Sequence, residues 1–144
     1  MGNNPSRTIY RKARYYNMRT FENKTYEIGY IYVGAQVKRS KYGCFKIGET
    51  TQTLRKRERK IQEFEPSYRM LGCLKIPNAT EPQLLAIESL TRLKLSTCKS
   101  YGHIGLDHFL YDVTDRKKDL QDITATVLDI ARKACEQLEI EYIG

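Results

Sequence analysis

Two β-rich runs stand close together in this chain, and the gap between them decides how they can pair. The first is Tyr26-Glu27-Ile28-Gly29-Tyr30-Ile31-Tyr32-Val33; the second is Cys44-Phe45-Lys46-Ile47-Gly48. Only a polar, basic loop from Gln36 to Gly43 separates them. A parallel pair needs a crossover of helix length, which this loop cannot hold, so the two runs must form an antiparallel hairpin. Strand alternation then sorts the side chains. Tyr30 and Tyr32 share one face, and Ile31 and Val33 share the other; Phe45 and Ile47 share a face, and Lys46 points the opposite way.

The rest of the chain supplies helices and one or two further strands. Thr53 caps a helix predicted to run from Leu54 towards Glu65, where Pro66 stops it. On a helical wheel, Leu54, Ile61 and Phe64 lie within about 60° of Arg57. An arginine therefore occupies the middle of an apolar stripe, with Arg55 and Arg59 on the opposite side. Tyr68 to Ile76 reads as a third strand ended by Pro77. Thr80 and Gln83 form a capping box with Pro82 in the first turn. The helix that follows carries leucines round most of its circumference, and Glu88 lies within about 60° of Leu84, Leu85 and Leu95. His108 to Val113 is a candidate short strand. Lys117 to Glu139 is an amphipathic helix with its stripe at Leu120, Ile123, Val127, Leu128, Ala131, Ala134, Cys135 and Leu138. The fold class is α+β: a small antiparallel sheet, the hairpin plus a third strand, packed with helices. Residues 1–25 form a basic, tyrosine-rich arm, residues 26–113 the central domain, and residues 114–144 a C-terminal helix packed on it.

Charge narrows the function. The chain of 144 residues has a net charge of +8, and the charge is unevenly spread. Residues 1–62 hold 15 basic and 4 acidic groups, while residues 63–144 hold 10 and 13. Such polarity suits a polyanion partner more than a small-molecule metabolic substrate. The cations with the best placement are Arg11 and Arg14 in the arm, Lys38, Arg39 and Lys41 in the hairpin loop, and Arg55, Lys56, Arg59 and Lys60 on the first helix. Tyr10, Tyr15 and Tyr16 interleave with the arm's cations, a pattern able to grip a backbone and stack on bases. No apolar run approaches the ~20 residues that span a bilayer. The N-terminus has no apolar core of a secretory signal, and Cys44, Cys73, Cys98 and Cys135 are irregularly spaced, which points to reduced thiols in the cytoplasm. Gly2 and Ser6 fit the loose N-myristoylation pattern, which makes a membrane-tethered basic adaptor a third class to weigh. Cys98, His103 and His108 form a candidate zinc group lacking a fourth ligand.

Arg57 and Glu88 break the apolar pattern, and each is costly to bury without a partner or a task. Arg57 is either a stem snorkelling at a helix edge or a phosphate-binding guanidinium. Glu88 is either an i,i+4 partner of Arg92 or a metal-binding carboxylate. With Tyr30, Tyr32 and Lys46 on one hairpin face, the two charges compose a phosphodiesterase site.

Here the residues resemble a known family. Gly29-Tyr30-Ile31-Tyr32 followed by Lys46-Ile47-Gly48 is similar to the paired motif of the GIY-YIG endonuclease superfamily, nearest to a phage and bacterial branch that reads G-Y-x-Y and K-I-G. Gly48-Glu49-Thr50, Leu54-Arg55-Lys56-Arg57, Glu88 in the later helix and Asp107-His108-Phe109-Leu110 resemble that branch's further elements. The resemblance covers about residues 26–113. It implies a metal-dependent endonuclease that hydrolyses phosphodiester bonds in DNA. In it Tyr32 is a general base or water-positioning group, Arg57 stabilises charge on phosphate and Glu88 binds Mg²⁺ or Mn²⁺. Tyr30 and Lys46 complete the catalytic set, Lys46 standing where other members have a second tyrosine; Ile61 stands where many have His or Tyr. Nearby Lys46 and Arg57 are expected to lower the Tyr32 phenol. The alternative is a non-catalytic nucleic-acid-binding module on the same fold. Tyr142-Ile143-Gly144 also spells Y-I-G, but no arginine follows it, and it reads as a chain end.

Overall fold

The structure, a computed structural model, describes residues 24–36, 44–97, 101–104, 108–111 and 120–144, with backbone alone for residues 44, 101–104 and 108–111. Five antiparallel strands form one sheet in the order β3-β1-β2-β5-β4. They are β1 (Tyr26–Gln36), β2 (Cys44–Thr50), β3 (Tyr68–Ala79), β4 (Tyr101–Ile104) and β5 (His108–Tyr111). Three described helices accompany it: α1 (Leu54–Gln62), α2 (Glu81–Ser96) and α3 (Leu120–Gln137). The α+β class therefore stands, and so does the antiparallel hairpin, in which Tyr32 pairs with Gly48 and Gly34 with Lys46.

The sheet is wider than the sequence indicates. β5 falls within the candidate strand at His108 to Val113, and β4 extends the sheet beyond it. Tyr101-Gly102-His103-Ile104 has too little apolar alternation to announce a strand. β3 also runs through Pro77 to Ala79 rather than stopping at Ile76. β3 lies at the sheet edge, where a residue without an N–H is tolerated. Lys75 on that edge exchanges both backbone hydrogen bonds with Ile143, at 2.9 and 2.8 Å. Tyr142-Ile143-Gly144 is thus more than a chain end: it covers part of an open strand edge.

Both faces of β1 are buried, in different cores. Ile31, Val33 and Ala35 join Phe45, Ile47, Leu74 and Ile76 against Leu84 and Ile87 of α2 and Ile123, Val127 and Ala131 of α3. The C-terminal helix so packs on the domain, though its described span is shorter than the predicted 117–139. The other face forms a smaller cluster, Tyr32, Tyr68 and Ile61, flanked by Leu54, Met70 and Cys73. α1 is fastened over this cluster by two side chains. Glu58 Oε2 accepts from the Met70 N–H at 2.7 Å, and Gln62 Nε2 donates to the Tyr68 carbonyl at 2.9 Å. Met70 stands beside Leu71, the residue left over where β3 bulges against Val33 and Gly34.

Helix starts were legible and one helix end was not. Thr53 Oγ1 accepts from the Lys56 N–H at 3.2 Å, and the Thr80–Gln83 capping box closes with bonds of 3.1 and 3.3 Å. α1 ends at Gln62, three residues before the expected Glu65. Phe64 consequently leaves the apolar stripe and stands 83% exposed, instead of packing near Arg57. None of the described helices is long and apolar enough to cross a membrane.

Candidate active site

Tyr32 and Arg57 are 25 residues apart in sequence and meet in space. The Arg57 Nε–H donates to the Tyr32 hydroxyl at 3.1 Å. β1 places Tyr32 opposite Gly48 of β2, and the absence of a side chain there is what lets the ring lie flat across the neighbouring strand. A Cβ on Gly48 would run into the Tyr32 hydroxyl and ring. Gly34 has the same relation to the Tyr68 ring. α1 then lowers Arg57 onto the phenol from above, because the Thr53 cap and the two side-chain ties to β3 fix its rotation and height.

Tyr32 is 1% exposed, its ring enclosed by Ile61 and Tyr68. This burial corrects the expectation of a lowered phenol. Burial is the largest influence and pushes Tyr32 up; Arg57 pulls it down by hydrogen bond and charge, while Glu88 and Glu49 push it up again. The balance lies above the usual value of 10.0. Tyr32 therefore holds its proton more tightly than a free phenol does. Arg57 is half-buried, and although burial alone would lower it, the bond to Tyr32 holds it above its usual value and fully charged.

Glu88 sits on α2, buried at 8% exposure. Its Oε1 accepts from Arg92 Nη1 at 3.0 Å, and the two side chains are only 10% and 12% exposed. The i,i+4 pair weighed from sequence is thus present, and buried rather than solvated. Glu88 lies near enough to act on Tyr32 through its charge. Lys46 and Tyr30 are half-buried. Alternation along β1 sets Tyr30 on the Tyr32 face, and Lys46, opposite Gly34, shares it.

Arg55, Lys56, Arg59 and Lys60 are exposed on α1. Arg11, Arg14, Lys38, Arg39 and Lys41 lie outside the described residues, as do Gly2, Ser6 and the side chains of the candidate zinc group at Cys98, His103 and His108. Among the described residues no group of three or more His, Cys, Asp or Glu could hold a metal ion. Sequence reasoning passed over two contributors: Tyr68, which walls in the phenol, and Glu49, whose charge acts on both Tyr32 and Arg57. Alternation along β3 could have found Tyr68; nothing in the pattern singled out Glu49.

No protein-family model, curated protein or solved structure matches this chain.

The two buried phenols make a testable prediction. Tyr32 and Tyr68 are both raised by burial, so the native state holds their protons more tightly than the unfolded chain does. The stability they contribute is complete below pH 10 and falls as pH rises beyond it. Ultraviolet titration of the 11 tyrosines should show a resistant pair that ionises only as the fold is lost. The melting temperature should be insensitive to these two phenols between pH 7 and 9. A titration in which every phenol ionises near 10 with the fold intact contradicts the enclosed geometry.

Proposed function

We propose that this chain is a metal-dependent endonuclease of the GIY-YIG type, acting on DNA, with Arg57 as the group that meets the scissile phosphate. One observation carries the reading: the 3.1 Å bond from Arg57 Nε to a buried tyrosine hydroxyl. That bond occupies Nε and leaves the terminal nitrogens of the guanidinium, the planar fork that suits phosphate oxygens, free of that commitment. Tyr32 in this reading is a positioning residue. It holds Arg57 at a fixed angle and does not itself remove a proton.

The donor set bears on the metal. A single carboxylate already engaged by Arg92 does not suit a resident ion, but it fits Mg²⁺ that keeps most of its waters and arrives with substrate phosphate. Glu88 would hold such an ion, with Mn²⁺ as a substitute. When bound, the metal would supply charge neutralisation at the leaving oxygen. Lys46 and Tyr30, on the Tyr32 face, would border the same phosphate. An intracellular setting belongs to this proposal, supported by the free thiols of Cys73 and Cys135. Burial pushes Cys135 up to about 11, so it is an inert thiol and no nucleophile.

A second reading, a nucleic-acid-binding module without catalysis, is favoured by the Glu88–Arg92 pair itself, since that pair gives Glu88 a structural task. Glu88→Gln separates the two. Removing the charge leaves Arg92 largely buried without a counter-ion, at a cost of about 1–3 kcal/mol under either reading. Well below the melting temperature, the endonuclease reading expects Mg²⁺-dependent cleavage to fall at least about a hundredfold with DNA affinity nearly unchanged. A variant that melts lower but cleaves as fast as the parent supports a purely structural Glu88.

A further inference from the structure

α1 faces two ways. Arg57 turns inward to Tyr32, while Arg55 and Arg59 lie about 160° round the helix from it. Those two residues, with Lys56 and Lys60, are exposed and line an open groove bordered by Thr53 and Glu63. Arg55 with Arg59 and Lys56 with Lys60 are like-charged pairs at i,i+4. Each such pair destabilises a helix by about 0.2–0.5 kcal/mol unless a polyanion neutralises it. Glu58, on the same helix, is turned away to the Met70 N–H. The four cations lie in two parallel rows along the helix, each row able to follow consecutive phosphates of one strand.

Phe64 follows Glu63, the last residue lining this groove, in the chain. Its backbone N–H is tied to the Ile61 carbonyl at 3.0 Å, yet its ring is 83% exposed. A tied backbone and an exposed aromatic residue one position beyond a cationic groove are the two components of a stacking platform for an unpaired base. A duplex shields its base faces by stacking and could not offer one.

We propose that the outer face of α1 is a single-strand-binding surface, with phosphates along Arg55, Lys56, Arg59 and Lys60 and a base stacked on Phe64. The occupant is a single-stranded nucleic acid segment. The inference rests on a nucleic-acid partner for the chain but not on cleavage, since Arg57, paired with Tyr32, does not line this groove.

The chain contains no tryptophan, so Phe64→Trp introduces a single fluorescent reporter at the proposed platform. A short oligothymidylate should quench its emission saturably, while inorganic polyphosphate should displace the oligonucleotide without quenching. Phe64→Ala should bind the oligonucleotide about tenfold more weakly, with an unchanged melting temperature because the ring is exposed. Arg55→Gln with Arg59→Gln should reduce the salt dependence of binding by about two phosphate contacts. Emission that ignores the oligonucleotide, equal affinity of Phe64→Ala and the parent, or an equal Phe64→Ala loss on blunt duplex each overturns the proposal. The same quenching in an Arg57→Ala background supports it, and keeps it apart from any failure of the nuclease reading.

Discussion

Arg57→Ala should lower Mg²⁺-dependent DNA cleavage by about a hundredfold to a thousandfold, the loss expected when one preorganised group that stabilises transition-state charge is removed. The expectation follows from how Arg57 is held. Its Nε is bound to a phenol that is itself enclosed, so the guanidinium does not have to be ordered when substrate arrives. DNA affinity should fall little, because the exposed cations of α1 remain. Some stability should also be lost, since the enclosed Tyr32 hydroxyl gives up its bond from Arg57. Tyr32→Phe is the companion variant. It keeps the ring and removes only the hydroxyl that receives Arg57. Cleavage should drop across the whole neutral pH range without a shift in the pH profile, because a neutral phenol contributes no titration there. A shifted profile would restore Tyr32 as a base.

Gly48→Ala should lower the melting temperature by about 5–10 °C, corresponding to roughly 2–3 kcal/mol of overpacking in a chain of this size. The added Cβ would meet Tyr32 Cε2 at 2.8 Å and the hydroxyl closer still. The ring cannot retreat, because Ile61 and Tyr68 close it in from the other side. The same substitution should dislodge the acceptor for Arg57 and so lower cleavage. Thermal melts of a double-mutant cycle with Tyr32→Leu check the cause. The Gly48→Ala penalty should shrink sharply when the ring is gone, whereas additive penalties would show that the glycine is needed for something other than room for Tyr32.

These variants also mark how far the sequence reaches. The hairpin was legible because its two strands are separated by a loop too short for any alternative. Thr53, Thr80 and Gln83 were legible because caps are local. The inward turn of Arg57 followed from helical periodicity alone, which needs no tertiary information. What escaped depended on partners far away in the chain. The rise of the Tyr32 phenol requires knowing that its face of β1 is covered by α1 and Tyr68, whereas strand alternation separates the two faces without saying what covers either. Phe64 was misplaced because the wheel was extended past the true end of α1, and a residue beyond the last turn no longer follows the helical stripe. Pro77 ended a strand on paper and continued one in space, since the penalty for a missing N–H vanishes at an edge. Glu88 shows the converse case. Sequence offered both the ion pair and the metal ligand, and the structure contains the pair.

Whether the Tyr32–Arg57 pair serves phosphodiester hydrolysis is read out by nicking of supercoiled DNA by the full chain with Mg²⁺ and with chelator, run beside Arg57→Ala. Nicked circles are expected with Mg²⁺ and none with chelator, with a hundredfold or greater slowing in the variant. A full chain that leaves supercoiled, linear, branched and single-stranded DNA intact in both Mg²⁺ and Mn²⁺ would contradict that role.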